Sequence, residues 1–295
     1  MPPIPPPRES GVTASTIIPL HWVKYGKPGA PQLLLLHGGP GAHLDYLLPQ
    51  MLELARDYEL VLYDQRGGGQ SKTDDRAPIT WRTHVEDLEK VIAELEISPL
   101  SLVGYSWGGL LAMLYSIEAS AGRVAPTPSR LVLIDPAPVN RAYREQFEKE
   151  FARRQADPLV AQLRADLAAS GLRESNPDAY RQRTFELSVA GYFADPTAAH
   201  DLTPFRVTGR VQQSVWESLG DFDLLAAGQL DSIHVPTLIV HGTRDPIPME
   251  SSKAAAQTMH AAFVPIDGAG HVPYVEQPRA LFAAIREFLG AHPVQ

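Results

Sequence analysis

The sequence predicts an α/β fold built on a mostly parallel, doubly wound sheet, with a helical cap inserted between two of the strands. Three observations support this fold class: six short apolar runs, amphipathic stretches that separate them, and one long segment without a strand-like run. Each apolar run is too short for a buried helix and lacks the polar alternation of a half-exposed strand, which favours buried parallel strands. The six runs are 33–37, 60–64, 100–104, 131–135, 237–241 and 262–266.

Amphipathic stretches at 81–95 and 278–289 carry apolar residues at helical spacing and predict helices that pack on the sheet. The segment 138–230 contains charged, helix-like sequence and no strand-like run. We therefore expect a cap over the carboxyl ends of the strands, where open sheets bind ligands. The expected organisation is a core at 1–137 that begins with a proline-rich tail at 1–9, a cap at 138–230, and the rest of the core at 231–295.

The composition limits the classes of partner and chemistry. The chain has 295 residues, a net charge of −8 and no cysteine. The negative charge opposes nucleic-acid binding, and the lack of an apolar run of about 18 residues predicts no membrane span. The N-terminal sequence has no apolar signal-peptide core, so we expect a cytoplasmic protein. Without cysteine there is no disulfide or thiolate nucleophile, and the histidine spacing matches no metal motif, so we expect no cofactor and no metal.

The candidate nucleophile is Ser106, in the sequence GYSWG at 104–108. This sequence fits the pattern G-x-S-x-G and stands between an apolar strand and a helix-like stretch. Glycines are needed there because the tight strand-to-helix turn leaves no room for side chains. A serine at the start of the helix would also lie near free amides that favour developing negative charge. The alternative is a glycine-rich turn with an incidental serine.

A serine hydroxyl needs a base, and the base needs a group that fixes its tautomer. In sites of this type the chain order is serine, then acid, then histidine. Asp245 follows the strand at 237–241 and His271 follows the strand at 262–266, so they are the predicted acid and base. His241 precedes the acid and breaks the order. Asp267 competes with Asp245, but its closeness to His271 favours a turn residue.

The loop HGGPG at 37–41 follows a predicted strand at the position where such sites supply a backbone amide to the oxyanion. We expect the amides of Gly39 and Trp107 to be the two donors. The alternative is that the glycines make an ordinary flexible turn.

HGGPG at 37–41, YDQRGGGQS at 63–71 and GYSWGG at 104–109 together resemble the proline iminopeptidase group of α/β-hydrolases. The resemblance covers about 33–136 and 236–289. It implies the α/β-hydrolase fold with a helical cap and serine aminopeptidase activity, with the triad Ser106, Asp245 and His271 and the oxyanion pair Gly39 and Trp107. It also implies a structural role for the DQRG stretch, in which we expect a buried Arg66 to pair with a carboxylate.

The resemblance is incomplete where the substrate's free amine would bind. Members of the group hold this amine with glutamates, because an ammonium in a dry site must be paired. Pro246 follows Asp245, so one such position is empty, and Tyr105 stands where the group usually has glycine. Glu217, in SVWESLGDFD, and Glu186, in TFELSVAGYF, are the candidate cap glutamates; the alternative is two solvated helix charges. Trp216 and Gly38 are further candidate substrate-binding residues.

Three functions follow as hypotheses. The first is an aminopeptidase that releases N-terminal residues, preferably proline, from small peptides. The second is a carboxylesterase or lactonase that acts on small acyl compounds with the same triad. The third is a hydrolase-like binding protein without turnover. Haloalkane dehalogenases and epoxide hydrolases use an aspartate at the elbow, so Ser106 argues against both. The expected partner is a small molecule or short peptide, and the sequence does not indicate an oligomeric state.

Overall fold

The computed structural model describes residues 3–74 and 76–291. Its eight strands form one sheet in the order β1-β2-β4-β3-β5-β6-β7-β8. The pairs β1–β2 and β2–β4 are antiparallel, and all other neighbours are parallel. The predicted mostly parallel architecture is confirmed. The strands are β1 (Glu9–Val12), β2 (His21–Tyr25), β3 (Gln32–Leu36), β4 (Glu59–Tyr63), β5 (Ser101–Tyr105), β6 (Arg130–Ile134), β7 (Thr237–Gly242) and β8 (Ala262–Ile266).

Alternate residues of the central strands face two separate core layers. In β3, Leu34 and Leu36 belong to one apolar cluster, whereas Leu33 and Leu35 belong to the other. A strand covered on both faces needs apolar side chains at every position, which is why the continuous apolar runs correctly predicted the central strands.

Three strands differ from the sequence-based expectation. Two antiparallel strands, β1 and β2, precede the predicted ones; β1 is largely exposed, so its sequence lacks an apolar run. The expectation that β8 is buried is wrong, because β8 is the last strand of the sheet and its residues are mostly half-buried or exposed. The proline-rich tail lies along the sheet, where the Pro5 carbonyl accepts a hydrogen bond from the Tyr25 hydroxyl at 3.3 Å; residues 1 and 2 lie outside the described part.

Helices cover the sheet and fill the connection between β6 and β7. Thr80 and Thr83 form a reciprocal capping box at the start of α1, and α2 is buried along almost its whole length. Within the described residues, no helix combines the length and apolar character that a bilayer crossing requires. The helices are α1 (Trp81–Glu94), α2 (Trp107–Ser120), α3 (Arg141–Gln155), α4 (Pro158–Ala169), α5 (Leu172–Ser175), α6 (Pro177–Val189), α7 (Gly209–Leu219), α8 (Met249–Met259), α9 (Pro273–Glu276) and α10 (Pro278–Ala291); short 3-10 turns are Leu44–Leu47, Gln50–Arg56, Ala190–Tyr192, Ala198–Asp201 and Leu230–Ser232.

Helices α3 to α7 all lie between β6 and β7, within the segment expected to form the cap. An isolated antiparallel bridge between Asn140 and Asp223 brings the two ends of this segment together. The Asn140 side chain also accepts a hydrogen bond from the Tyr143 amide and so caps α3. The boundaries at 138 and 230 remain our proposal for the division into core and cap.

A buried ion pair anchors the loop that follows β4. Arg66 donates through Nε and Nη2 to the two carboxylate oxygens of Asp87 on α1, at 2.8 and 2.7 Å. Both side chains are only 2% exposed. The bidentate geometry holds the DQRG stretch against α1, as expected for Arg66.

Replacing Arg66 with alanine should lower the free energy of unfolding by about 3–5 kcal/mol, because Asp87 would remain as an unpaired buried charge. Urea-induced unfolding followed by circular dichroism measures this change. Arg181→Ala is the matched control, since Arg181 pairs with Asp178 where both side chains are exposed, and such pairs contribute little. Equal losses in the two variants would contradict the role assigned to burial.

Candidate active site

Ser106 lies on a sharp turn between β5 and α2. Its φ of 53° and ψ of −118° place it in a region that residues other than glycine rarely adopt. A Cβ on Gly104 would lie 2.4 Å from the carbonyl oxygen of Gly108, and one on Gly108 would lie 2.0 Å from that of Leu36. The glycines of the motif are therefore required by backbone contact.

The structure brings the other two predicted triad residues to this turn. The Ser106 hydroxyl lies 2.9 Å from Nε2 of His271, and Nδ1 of His271 lies 2.8 Å from Oδ2 of Asp245. The second oxygen of Asp245 accepts a hydrogen bond from the Ile247 amide at 2.7 Å. A carboxylate only accepts, so Nδ1 of His271 carries the proton and Nε2 presents its lone pair to Ser106.

Burial sets the protonation of this pair. It lowers the pKa of His271 to about 4, so the imidazole is neutral near pH 7. Burial raises the pKa of Asp245, whereas hydrogen bonds to the carboxylate lower it. A neutral imidazole beside a serine hydroxyl is the arrangement needed for a general base.

The two competing residues occupy other positions. The imidazole of His241 is buried, with Nδ1 at 2.9 Å from the Ser252 hydroxyl and Nε2 at 3.2 Å from the Ile247 carbonyl. Asp267 is exposed in a turn and accepts a hydrogen bond from Thr243 at 3.3 Å. Neither residue takes the place of Asp245 or His271 beside Ser106.

The two predicted oxyanion donors line the same cavity as Ser106. Gly39 lies in the loop after β3, and Trp107 is the first residue of α2, where a backbone amide has no intrahelical partner. Gln65 connects the two segments: its side chain donates to the His37 carbonyl at 2.7 Å and accepts from the Trp107 indole at 2.7 Å.

The resemblance implied a structural role for the stretch that contains Gln65, but the sequence did not reveal these two contacts. Gln65 lies in the DQRG stretch, and the family resemblance was the one signal that pointed to this region. Its Oε1 and Nε2 atoms link the loop after β3 to the start of α2, the two segments predicted to supply the oxyanion amides.

Gly38 is not among the described residues that line the cavity, contrary to its prediction as a substrate-binding residue. Its amide donates to the Tyr46 hydroxyl at 2.6 Å. A Cβ on Gly38 would lie 2.8 Å from the Cβ of Ser106. Gly38 therefore packs behind the nucleophile, and its amide is already used.

The cavity over Ser106 has a volume of about 1010 Å³ and lies between the ends of the strands and helices α3, α6 and α7. The Tyr192 ring stacks on the His271 ring, with centroids 5.1 Å apart. The Trp216 ring contacts the Trp107 ring edge to face at 5.8 Å. The aromatic residues that line the cavity are Tyr46, Tyr105, Trp107, Phe147, Phe151, Phe185, Tyr192, Phe205, Trp216, Phe222 and Tyr274.

The two candidate glutamates differ in position. Glu217 lines the cavity from α7, and one of its oxygens accepts a hydrogen bond from Gln213 at 2.7 Å. Glu186 is buried on α6, is paired with Arg183 and Gln182, and is not among the described residues that line the cavity. Glu186 was therefore the wrong choice for a cavity acid, because its charge is already neutralised inside the cap.

Charged residues of α3 also reach the cavity, and sequence reasoning missed them. Arg141 pairs with Glu145 at 3.0 Å, and Arg144 pairs with Glu148 at 2.8 Å. The Arg144 guanidinium lies 3.6 Å from the centre of the Trp216 ring. Their i,i+4 spacing was visible in the sequence, but it is equally typical of a solvated helix.

The sheet and the serine on a strand-to-helix turn define the α/β-hydrolase class. The alpha/beta hydrolase family model matches residues 33–285, so the chain belongs to this family. A proline iminopeptidase from Levilactobacillus brevis is 28% identical over 285 residues, which cover 88% of each chain.

Two solved structures share the fold. A proline iminopeptidase from Mycobacterium smegmatis has a TM-score of 0.68 and 19% identity, with 96% of this chain and 98% of that one covered. An enol-lactonase from Burkholderia xenovorans has a TM-score of 0.66 and 21% identity, with 95% of this chain and 100% of that one covered. At such low identities these two structures support the fold and do not distinguish between substrates.

Replacing Tyr46 with phenylalanine should lower kcat about tenfold with little change in KM, because the buried Gly38 amide loses a partner worth about 1–3 kcal/mol. Steady-state hydrolysis of a short-chain aryl ester measures the effect. Tyr63→Phe is the control, since the buried Tyr63 hydroxyl has no hydrogen-bond partner among the described residues. A Tyr46→Phe variant with wild-type kcat would show that this contact does not support the site.

Proposed function

We propose that the protein is a serine hydrolase that forms an acyl-enzyme on Ser106. The observation that carries this proposal is the continuous chain of contacts from the Ser106 hydroxyl through His271 to Asp245, at 2.9 and 2.8 Å. The elbow presents the hydroxyl at the floor of a cavity that is large enough for a small molecule or a short peptide. The cytoplasmic location stays a prediction from the sequence.

In the proposed reaction, Ser106 Oγ bonds to the substrate's carbonyl carbon while its proton moves to Nε2 of His271. The amides of Gly39 and Trp107 stabilise the oxyanion, and each donor is worth about 3 kcal/mol in the transition state. The imidazolium then protonates the leaving amine or alcohol, and the acyl group stays on Ser106. His271 then takes a proton from a water molecule whose oxygen bonds to the acyl carbon. The bond from this carbon to Ser106 Oγ breaks, His271 returns the proton to Oγ, and the acid is released.

For the substrate, we propose aminopeptidase action on small peptides with an N-terminal residue, preferably proline. The similarity to proline iminopeptidases over most of both chains supports this choice. The position of Glu217 also supports it. Glu217 lines the cavity beside Trp216, and the Trp216 ring contacts Trp107, the residue after the nucleophile. One Glu217 oxygen accepts a hydrogen bond from the neutral Gln213 amide, a contact that supplies no countercharge, and a substrate ammonium would supply one.

A carboxylesterase or lactonase is the second candidate, and the charges of the cavity favour it. Glu145 and Glu148 are each paired with an arginine, and Pro246 follows the catalytic acid where a further carboxylate would strengthen an amine site. The aromatic lining suits an uncharged acyl group. A binding protein without turnover is the alternative from another class.

A substrate panel separates these functions: a prolyl anilide, its N-acetylated form and a short-chain aryl ester. Aminopeptidase action predicts that the free-amine anilide is cleaved fastest. Glu217→Gln should lower its kcat/KM about 10- to 100-fold, because one charge-assisted contact is lost, and should spare the ester. Glu145→Gln is the matched cavity control and should change neither.

Other results of the substrate panel would favour the esterase or the binding protein. Faster cleavage of the blocked amide, or ester turnover alone, would reject the peptidase and support the esterase. Ser106→Ala should remove turnover of every substrate, by roughly 10³-fold or more, and full activity in that variant would reject the serine mechanism. No turnover of any substrate by the wild type would support the binding protein.

A further inference from the structure

Four neighbouring parallel strands each deliver one side chain to the same edge of the sheet. Ser106 follows β5, Asp135 follows β6, Asp245 follows β7 and His271 follows β8. Three of them form the proposed triad. The fourth, directly after Ile134, is Asp135, which does not take part in the proposed proton transfer.

Asp135 is fully buried and its backbone is held in an unusual conformation. Its φ is 41°, in the left-handed region, where a residue other than glycine is uncommon. Its amide donates to the Val240 carbonyl at 2.9 Å, and its Oδ1 accepts from the Gly242 amide at 2.7 Å. Its Oδ2 is buried and has no hydrogen-bond partner among the described residues.

Asp135 lies beside Asp245 without a compensating cation. Ligand atoms of Asp135, His241 and Asp245 all lie within 4.8 Å of one another. Nδ1 of His241 lies 3.7 Å from Oδ1 of Asp135, and its Nε2 faces the Ile247 carbonyl, which can only accept, so the proton is on Nε2. Its Nδ1 accepts from the Ser252 hydroxyl. Burial lowers the pKa of His241 to about 4, so this imidazole is neutral near pH 7 and supplies no positive charge.

The remaining titratable groups around the pair do not supply the missing positive charge. His271 is neutral before the reaction begins. Arg154 acts on Asp245 from α3, where Glu150 pairs with it and its Nη1 donates to the Arg244 carbonyl. Glu276 adds negative charge. The other groups that face Asp135 are the hydroxyls of Tyr105 and Tyr274, which burial keeps neutral.

Two buried carboxylates that share a site cannot both remain ionised, and a proton is held by the one with fewer donors. Asp245 accepts from Ile247 and His271, whereas Asp135 accepts from Gly242 alone. Burial, together with the neighbouring Asp245, raises the pKa of Asp135 well above its usual range. A proton on Oδ2 would also give this orphaned oxygen a partner.

We propose that Asp135 is a neutral carboxylic acid whose Oδ2 donates a hydrogen bond to Asp245, and that it is a positioning residue for the triad. This inference rests on the catalytic role proposed above for Asp245. The Asp245 carboxylate then accepts from Asp135, Ile247 and His271 at once, which keeps it ionised and fixes its orientation toward His271. Asp135 keeps its proton throughout turnover, and the proton from Ser106 stays on His271.

Asp135→Asn and Asp135→Ala test the proposal, with the aryl ester as substrate. An amide reproduces the pattern of the neutral acid, since its oxygen accepts from Gly242 and its NH₂ donates to Asp245. Asp135→Asn should therefore keep kcat within about threefold of wild type and leave the acid limb of kcat/KM in place. Asp135→Ala should lower kcat about tenfold or more with little change in KM.

The pH profile separates positioning from general support of the fold. Loss of a donor to the charged carboxylate raises the pKa of Asp245, and the proposed mechanism needs this carboxylate ionised. The acid limb of the pH profile of kcat/KM should therefore move up by about one pH unit in Asp135→Ala. If Asp135 were ionised, Asp135→Asn would remove a negative charge, and the acid limb would move to lower pH. That result, or wild-type kinetics in Asp135→Ala, would overturn the proposal.

A spectroscopic measurement tests the proton without activity and without the alanine variant. Ser106→Ala protein, with ¹³C in the aspartate side-chain carboxyls, should show one resonance at the position of a protonated acid at about pH 8, above the pKa of about 7 to which burial raises Asp245. That resonance should be absent when Asp135→Asn is added. Ionised shifts for all aspartates at this pH would overturn the proposal. Failure of the serine mechanism would appear instead as activity in Ser106→Ala and would leave this spectrum unchanged.

Discussion

Parallel pairing of β5, β6, β7 and β8 is the constraint on which the site depends, because it makes four strands end at one edge. The Ser106 amide donates to the Ile134 carbonyl at 3.0 Å, so the nucleophile is tied to the neighbouring strand. A Cβ on Gly242 would lie 2.2 Å from the Gly270 carbonyl oxygen, so the turns that carry Asp245 and His271 are in backbone contact. A shift in the pairing register of these strands would move Ser106, Asp245 and His271 apart.

The segment after β4 fixes the loop after β3, which is predicted to supply an oxyanion amide. Arg66 anchors it to α1 through the buried Asp87 carboxylate, and Gln65 ties the His37 carbonyl to the Trp107 indole. Neither side chain is among the described residues that line the cavity. In the proposed reaction they would hold the amides of Gly39 and Trp107 in place before the substrate binds, which is the physical basis of electrostatic catalysis.

The central strands and the approach of Ser106, Asp245 and His271 to one another were predictable from the sequence because their signals are local. A strand buried on both faces is apolar at every position, and the elbow needs its glycines at fixed spacing. The half-exposed β1 and the edge strand β8 lack this regularity. The difference between Glu217 and Glu186 depends on which way each cap helix faces, and the helical spacing of the charges does not reveal it. In the sequence, Asp135 is simply the last residue of an apolar run. Its closeness to Asp245, which follows a different strand, is visible only in the folded structure.

Active-site labelling with a fluorophosphonate, followed by peptide mass spectrometry, tests the central claim most directly. A serine activated by His271 should react to give one adduct on the peptide that contains Ser106, and Ser106→Ala should give none. Ser188→Ala should label like the wild type, because Ser188 lines the same cavity but contacts the Phe185 carbonyl instead of His271. An adduct on Ser188, or labelling that persists in Ser106→Ala, would contradict the assignment of Ser106 as the nucleophile.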